Sequence, residues 1–110
     1  MTIAEVTVDE LDRALAAGAR LVDVREPLEY TSGHVAGAVL VPLSGLPDHV
    51  ADVQAISGDA ELFVICKVGG RSLRAAEILA THGITAVNVA GGTMAWVSSG
   101  RPVVAGDQPS

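Results

Sequence analysis

Cysteine is nearly absent from this chain, since a single residue, Cys66, occurs among its 110 residues. One cysteine cannot form an intrachain disulfide, and it cannot build a zinc site from a cysteine cluster. A domain of this size buries roughly two thirds of the surface that its extended chain exposes, so it can fold without either device. Whatever chemistry Cys66 performs, it performs without a second cysteine.

Positive charge and long apolar runs are also scarce. Lysine and arginine together number 7 against 13 acidic residues, which gives a formal net charge of −6. No basic stripe is present, so we expect no nucleic-acid partner. No apolar stretch approaches the roughly 20 residues that span a bilayer, and the N-terminus lacks the pattern of a secretion signal. We therefore expect a cytoplasmic protein that does not bind membranes.

Aromatic residues make up only 3% of the chain, whereas 49% of its residues are hydrophobic, so the core must consist mainly of aliphatic side chains. Helix-like segments separate short apolar runs that predict strands at 21–24, 38–41, 62–65 and 86–89. Strands that alternate with helices at this spacing pair in parallel through right-handed crossovers. The sequence therefore predicts the α/β class.

The chain is long enough for one domain and too short for two. No internal repeat, low-complexity tract or linker interrupts it. We predict a single domain over residues 1–105, followed by a loose C-terminal tail over residues 106–110.

The most hydrophobic of the predicted strands runs directly into Cys66 and a turn that contains Gly69 and Gly70. Ligands of open α/β sheets bind at the carboxyl ends of strands, so Cys66 occupies a position suited to a functional site. Backbone N–H groups of the turn can form an anion-binding nest at the start of the next helix. Such a nest would lower the pKa of the Cys66 thiol, and the charges of Lys67 and Arg71 would add to the effect.

A simpler interpretation treats Cys66 as a small buried hydrophobe, which is the common role of a lone intracellular cysteine. However, two glycines and two cations follow Cys66 within five residues. A cysteine that only packs in the core has no use for such surroundings. We therefore favour a reactive thiolate at this position.

Three segments of the chain resemble the motifs of single-domain rhodanese-like sulfurtransferases. The loop 66–71 has the form C-x-x-G-x-R, which is the active-site loop of that family. The stretch 23–38 is similar to its signature D-x-R-E…E-Y…G-H-I-x-G-A, with Val35 in place of isoleucine, and the stretch 91–96 matches G-G-x-x-A-W. Three motifs in the family's order make a specific match, which extends over about residues 6–104.

The resemblance implies a three-layer fold, with a central parallel sheet of about five strands and helices on both faces. It also implies ping-pong sulfur transfer through a persulfide on Cys66. The Cys66 thiolate would take sulfane sulfur from a small-molecule donor, thiosulfate, and would pass it to cyanide, a thiol or a protein acceptor. Displacement at sulfur by a thiolate needs no general base, so the absence of a histidine partner readable from the sequence is no objection. We expect no cofactor and no metal.

The residues around Cys66 are expected either to bind the substrate or to support the active-site loop. Backbone donors of the loop would stabilise the thiolate and the persulfide, and Arg71 would meet the oxygens of the donor. Ser72 would support the first helical turn through its hydroxyl. Asp23 and Arg25 either brace the loop or form an ordinary surface ion pair. The predicted substrate-binding residues are Lys67, Val68, Gly69, Gly70 and Arg71.

Other functions fit parts of the sequence. Cysteine-based phosphatases and arsenate reductases also close an anion loop with arginine, but they place one more residue between the two than the four found here. The tighter ring suits a terminal sulfur atom better. Non-catalytic rhodanese-like modules, used for protein interaction or as sulfur carriers, typically lose the cysteine. Among donors, the charges of Lys67 and Arg71 favour thiosulfate over mercaptopyruvate.

Overall fold

Strands and helices alternate along the chain, which the structure, a computed structural model, describes over residues 2–110. The strands are β1 (Glu5–Val6), β2 (Arg20–Asp23), β3 (Val39–Leu40), β4 (Leu62–Ile65) and β5 (Val87–Val89). The helices are α1 (Val8–Ala16), α2 (Pro27–Ser32), α3 (Val50–Ser57), α4 (Gly70–Thr81) and α5 (Gly92–Ser98), with a 3₁₀ helix over Leu43–Asp48 before α3. The strands form one parallel sheet in the order β1-β5-β4-β2-β3, so the predicted α/β class is confirmed.

Two elements were not predicted from the sequence. Strand β1 is only two residues long, and a pairing this short leaves no periodic pattern to detect. The second is the 3₁₀ helix over Leu43–Asp48, which precedes α3. Pro47 lies inside the 3₁₀ helix, and its missing N–H disfavours a regular α-helix there.

The sheet is buried on both faces. Successive side chains of a strand point to opposite sides of the sheet, so each strand contributes to both faces. In β4, Leu62 and Val64 pack into one apolar cluster, while Phe63 and Ile65 pack into the other. The first cluster includes side chains of α3 and α4, and the second includes side chains of α1, α2 and α5. The layers are therefore helix, sheet and helix, as the resemblance implied.

The strand order brings three loops together at one edge of the sheet. Strand β4 lies between β5 and β2, and all three run in the same direction, so the loops that follow them are neighbours. Cys66 directly follows β4, Arg25 lies just beyond β2, and Gly91 lies just beyond β5. The three motifs singled out in the sequence therefore meet at the carboxyl ends of the strands.

Residues 106–110, for which the sequence predicts a loose C-terminal tail, form two backbone hydrogen bonds with the body of the protein. The N–H of Gly106 donates to the carbonyl of Thr31 at 2.9 Å, and the carbonyl of Pro109 accepts from the N–H of Gly37 at 2.9 Å. Backbone groups at the end of α2 and after it need partners, and the last residues provide them. The single-domain boundary over 1–105 stays a prediction.

The helices are short. The longest of those described, α4, has 12 residues, which corresponds to about 18 Å. Within residues 2–110, no helix has both the length and the apolar character needed to cross a membrane.

Candidate active site

The sulfur of Cys66 lies beneath the turn that joins β4 to α4, and this turn donates hydrogen bonds to it. The N–H of Gly69 lies 3.1 Å from the sulfur, and the hydroxyl of Ser72 donates to it at 3.2 Å. Gly69 has a φ of 111°, a left-handed conformation that glycine adopts without strain. The turn forms a nest of donors with the sulfur at its centre.

These donors change the acidity of the Cys66 thiol. Burial by itself raises the pKa, because a thiolate is poorly solvated inside the protein. The Ser72 hydroxyl and the backbone N–H groups of Ser72, Gly69 and Val68 outweigh burial and hold the pKa of Cys66 below its ordinary value. A lowered pKa agrees with the expectation from the sequence. Lys67, which was expected to contribute, is not among its main causes.

Ser72 contacts the sulfur of Cys66 directly, in addition to its predicted place in the first turn of α4. The residue is fully buried in the first turn of α4, and its hydroxyl lies within hydrogen-bond distance of both the Cys66 sulfur and the Gly69 carbonyl, 3.3 Å away. A hydroxyl has one hydrogen to donate, and a charged sulfur is the stronger acceptor. We therefore place Ser72 among the donors to the thiolate. In the sequence, this role was indicated only by a small polar residue directly after the motif C-x-x-G-x-R.

Arg71 does not present a free guanidinium to the sulfur, because it forms a bidentate ion pair with Glu29 of α2. Arg71 Nη1 lies 2.7 Å from Glu29 Oε1, and Nη2 lies 2.9 Å from Oε2. The hydrogen bonds from Arg71 hold the pKa of Glu29 at about 2, so the carboxylate is ionised at neutral pH. Direct contact between Arg71 and a donor's oxygens stays a prediction. Glu29 was visible in the E-Y motif, but its partner was not predicted.

Asp23 and Arg25 form a buried ion pair, so the surface-pair interpretation is wrong. Asp23 is fully buried and Arg25 is 6% exposed. Arg25 Nη2 lies 2.8 Å from Asp23 Oδ2 and also donates to the carbonyl of Gly33 at 2.9 Å. Gly33 directly follows α2, so the pair braces the helix that carries Glu29. Among the described residues, the hydrogen bonds of these two side chains do not reach the loop 66–71.

The first turn of α5 packs against the backbone of the active-site loop. The N–H groups of Thr93 and Met94 donate to the carbonyls of Cys66 and Lys67 at 2.9 and 3.0 Å, and the Thr93 hydroxyl also donates to the Cys66 carbonyl. A Cβ atom on Gly92 would lie 2.5 Å from the Lys67 carbonyl oxygen and 2.6 Å from that of Cys66. Glycine is therefore the residue that fits at position 92, and the G-G motif has a steric role that the sequence did not show.

Asn88 connects the loop to the far edge of the sheet. Its side-chain amide donates to the carbonyl of Gly69 at 3.1 Å and to the carboxylate of Glu5 at 2.7 Å. The residue is almost fully buried in β5. This contact was not predicted from the sequence, although a polar residue inside an apolar strand indicates a buried hydrogen-bond partner.

A cavity of about 540 Å³ opens beside the loop. Residues of α2, of the loop and of α5 line it. Lys67 is exposed on this wall and, among residues 2–110, makes no ion pair. The cavity therefore contains a cation that is available to a ligand.

Comparison with known proteins gives a family match over most of the chain. A family model described as a rhodanese-like domain matches residues 7–99. A chloroplastic thiosulfate sulfurtransferase of Arabidopsis thaliana is 36% identical, with 91% of this chain and 92% of that protein covered. A rhodanese-related protein from Thermoplasma volcanium is similar in structure, with a TM-score of 0.81 at 33% identity and 92% and 97% of the two chains covered. A human single-domain sulfurtransferase gives a TM-score of 0.76 at 32% identity, with 88% and 97% covered.

The substitution Gly92→Ala should destabilise the protein more than Gly100→Ala does. Both glycines have a left-handed φ, which costs alanine about 1–2 kcal/mol. No heavy atom lies within 4 Å of a Cβ at Gly100, whereas a Cβ at Gly92 collides with the loop backbone and adds about 1–3 kcal/mol. Urea unfolding of both variants measures the difference. Equal losses would contradict the close approach of α5 to the loop.

Replacing Ser72 by alanine should raise the pKa of the Cys66 thiol. The loss of one charge-assisted donor leaves less thiolate, so alkylation by iodoacetamide at about pH 6 should slow about tenfold. Ser57→Ala, at the end of α3, is the matched control and should leave the pH profile unchanged. An unchanged profile in Ser72→Ala would show that its hydroxyl does not stabilise the thiolate.

Proposed function

The chain belongs to the single-domain rhodanese-like sulfurtransferase family, and from that membership we propose that it moves sulfane sulfur from thiosulfate to cyanide or a thiol through a persulfide on Cys66. The observation that supports this proposal most is the set of donors around the sulfur, namely the Gly69 N–H and the Ser72 hydroxyl. A cysteine that only packs needs no such donors. A thiolate and a persulfide are anions, and hydrogen-bond donors stabilise both.

The proposed reaction has two displacements at sulfur. In the first, the Cys66 thiolate attacks the outer sulfur of thiosulfate, a new sulfur–sulfur bond forms, and the electron pair of the old bond leaves with sulfite. In the second, cyanide or an acceptor thiolate attacks the outer sulfur of the persulfide, and the Cys66 thiolate is released. The leaving group of the second step is the same stabilised thiolate that began the first.

The burial of Cys66 restricts how a donor can approach. The residue is only 1% exposed, so we propose that thiosulfate enters with its terminal sulfur first and leaves its oxygens outside the nest. Lys67 is then the cation best placed for those oxygens, because Glu29 already neutralises the guanidinium of Arg71. Arg71 therefore contributes less to the binding of thiosulfate than its place in the motif C-x-x-G-x-R suggested.

The length of the loop argues against the phosphatase alternative. Cysteine-based phosphatases place one more residue between cysteine and arginine than the four that separate Cys66 from Arg71, and the tighter ring of backbone N–H groups leaves less room for a tetrahedral oxyanion. A slender terminal sulfur atom fits these dimensions better. The donors also argue against a module used only for protein binding, which would not need them.

Replacing Cys66 by serine should abolish thiosulfate:cyanide sulfurtransfer, because a serine hydroxyl is not ionised at neutral pH and cannot carry a persulfide. The fold should survive, with a change in the free energy of unfolding of about 1 kcal/mol. Steady-state turnover and thermal unfolding measured on the same preparation separate the two effects. If a folded Cys66→Ser protein still turned over thiosulfate, Cys66 would not be the sulfur carrier.

A further inference from the structure

The cavity beside the active-site loop is much larger than the inorganic substrates require. Its volume is about 540 Å³, while one water molecule occupies about 30 Å³ of liquid. Cyanide or thiosulfate would fill only a small part of it. The remaining space is open to a larger molecule that binds beside Lys67, the residue that directly follows Cys66.

Exposed apolar side chains are concentrated at this cavity. Leu28 of α2 and Met94 and Val97 of α5 line it, and they are exposed by 83%, 51% and 51%. Val68, on the loop itself, is exposed by 60%. Three of the six large hydrophobic residues that are exposed in the described part of the chain therefore line the cavity. Exposed apolar residues that line one cavity often mark a binding site, whereas apolar residues scattered singly over a surface are common and need no such explanation.

The charged side chains that line the cavity determine whether it binds a negatively or a positively charged ligand. The cavity is lined by Arg25, Glu29 and Lys67. Arg25 is paired with Asp23 and Glu29 with Arg71, so neither offers a free charge. Lys67 makes no ion pair within residues 2–110 and can reach a negatively charged group.

We propose that this site takes as its sulfur acceptor an organic thiol that has an apolar body and one negative charge. The body lies against Leu28, Met94 and Val97, the anion pairs with Lys67, and the thiol end faces Cys66. The acceptor's thiolate attacks the outer sulfur of the persulfide, forms a new persulfide on the acceptor and releases the Cys66 thiolate. The inference rests on the proposed function, because it requires sulfur on Cys66.

The apolar wall should make the reaction sensitive to the length of the acceptor. A methylene that is fully buried improves binding about fourfold, and one that lies on an open wall improves it about twofold. A longer mercaptocarboxylate should therefore discharge the persulfide faster than a short one at equal low concentration. An uncharged thiol of the same length should be slower, because it cannot pair with Lys67.

The experiment forms the persulfide with thiosulfate, removes the excess, and follows its discharge in a single turnover. The acceptors are 3-mercaptopropionate, 6-mercaptohexanoate and 8-mercaptooctanoate, with 6-mercaptohexanol as the uncharged counterpart. We expect the second-order rate constant to rise about twofold per methylene. We expect the hexanoate to react several times faster than the hexanol.

Matched variants assign the two effects to the wall and to the cation. Met94→Ser and Val97→Ser should flatten the dependence on chain length, whereas Val103→Ser, an exposed apolar residue outside the cavity, should preserve it. Lys67→Gln should remove the preference for the carboxylate over the alcohol. Arg74→Gln, an exposed cation outside the cavity, should preserve that preference.

Two failures have different meanings. If the persulfide forms but its discharge is equally fast with the short, long and uncharged thiols, the proposed acceptor class is wrong and the sulfurtransferase function stands. The same holds if the Met94 and Val97 variants keep the full dependence on length. If no persulfide forms, both the function and the acceptor class are wrong.

Discussion

The hydrogen bonds from the first turn of α5 to the carbonyls of Cys66 and Lys67 are the contact on which the rest of the site depends. They hold the two peptide groups that begin the active-site turn, so the turn can fold back and bring the Gly69 N–H to the sulfur. The approach is so close that Gly92 has no space for a side chain. Two segments that are far apart in the chain are thereby joined at the active-site turn.

The site divides its charged groups between structure and chemistry. Arg25 and Arg71 are used to hold α2, the first through Asp23 and the Gly33 carbonyl and the second through Glu29. The sulfur anion is stabilised by neutral donors, which can surround it without a bulky side chain. Lys67 makes no ion pair within residues 2–110, and it is the cation that we propose for the substrate. Helix α2, fixed in this way, becomes one wall of the cavity, and α5 becomes the other.

Local patterns in the sequence were sufficient for the α/β class and for the place of Cys66. The apolar run of β4 predicts a buried strand, and the glycines after it predict a tight turn next to Cys66. Both features depend on neighbouring residues, so a local pattern is enough to indicate them. The ion pair of Arg71 could not be found in this way, since its partner lies 42 residues earlier in the chain. The amide of Asn88 and the space at Gly92 likewise depend on how distant segments pack.

The most direct test of this account is the mass of the intact protein after exposure to thiosulfate. The account predicts a gain of one sulfur atom, located on the peptide that contains Cys66 and removed by cyanide or by a thiol. Sulfite should be released in equal amount. A mass that does not change in excess thiosulfate, or added sulfur that cyanide cannot remove, would contradict the central claim that Cys66 carries a persulfide.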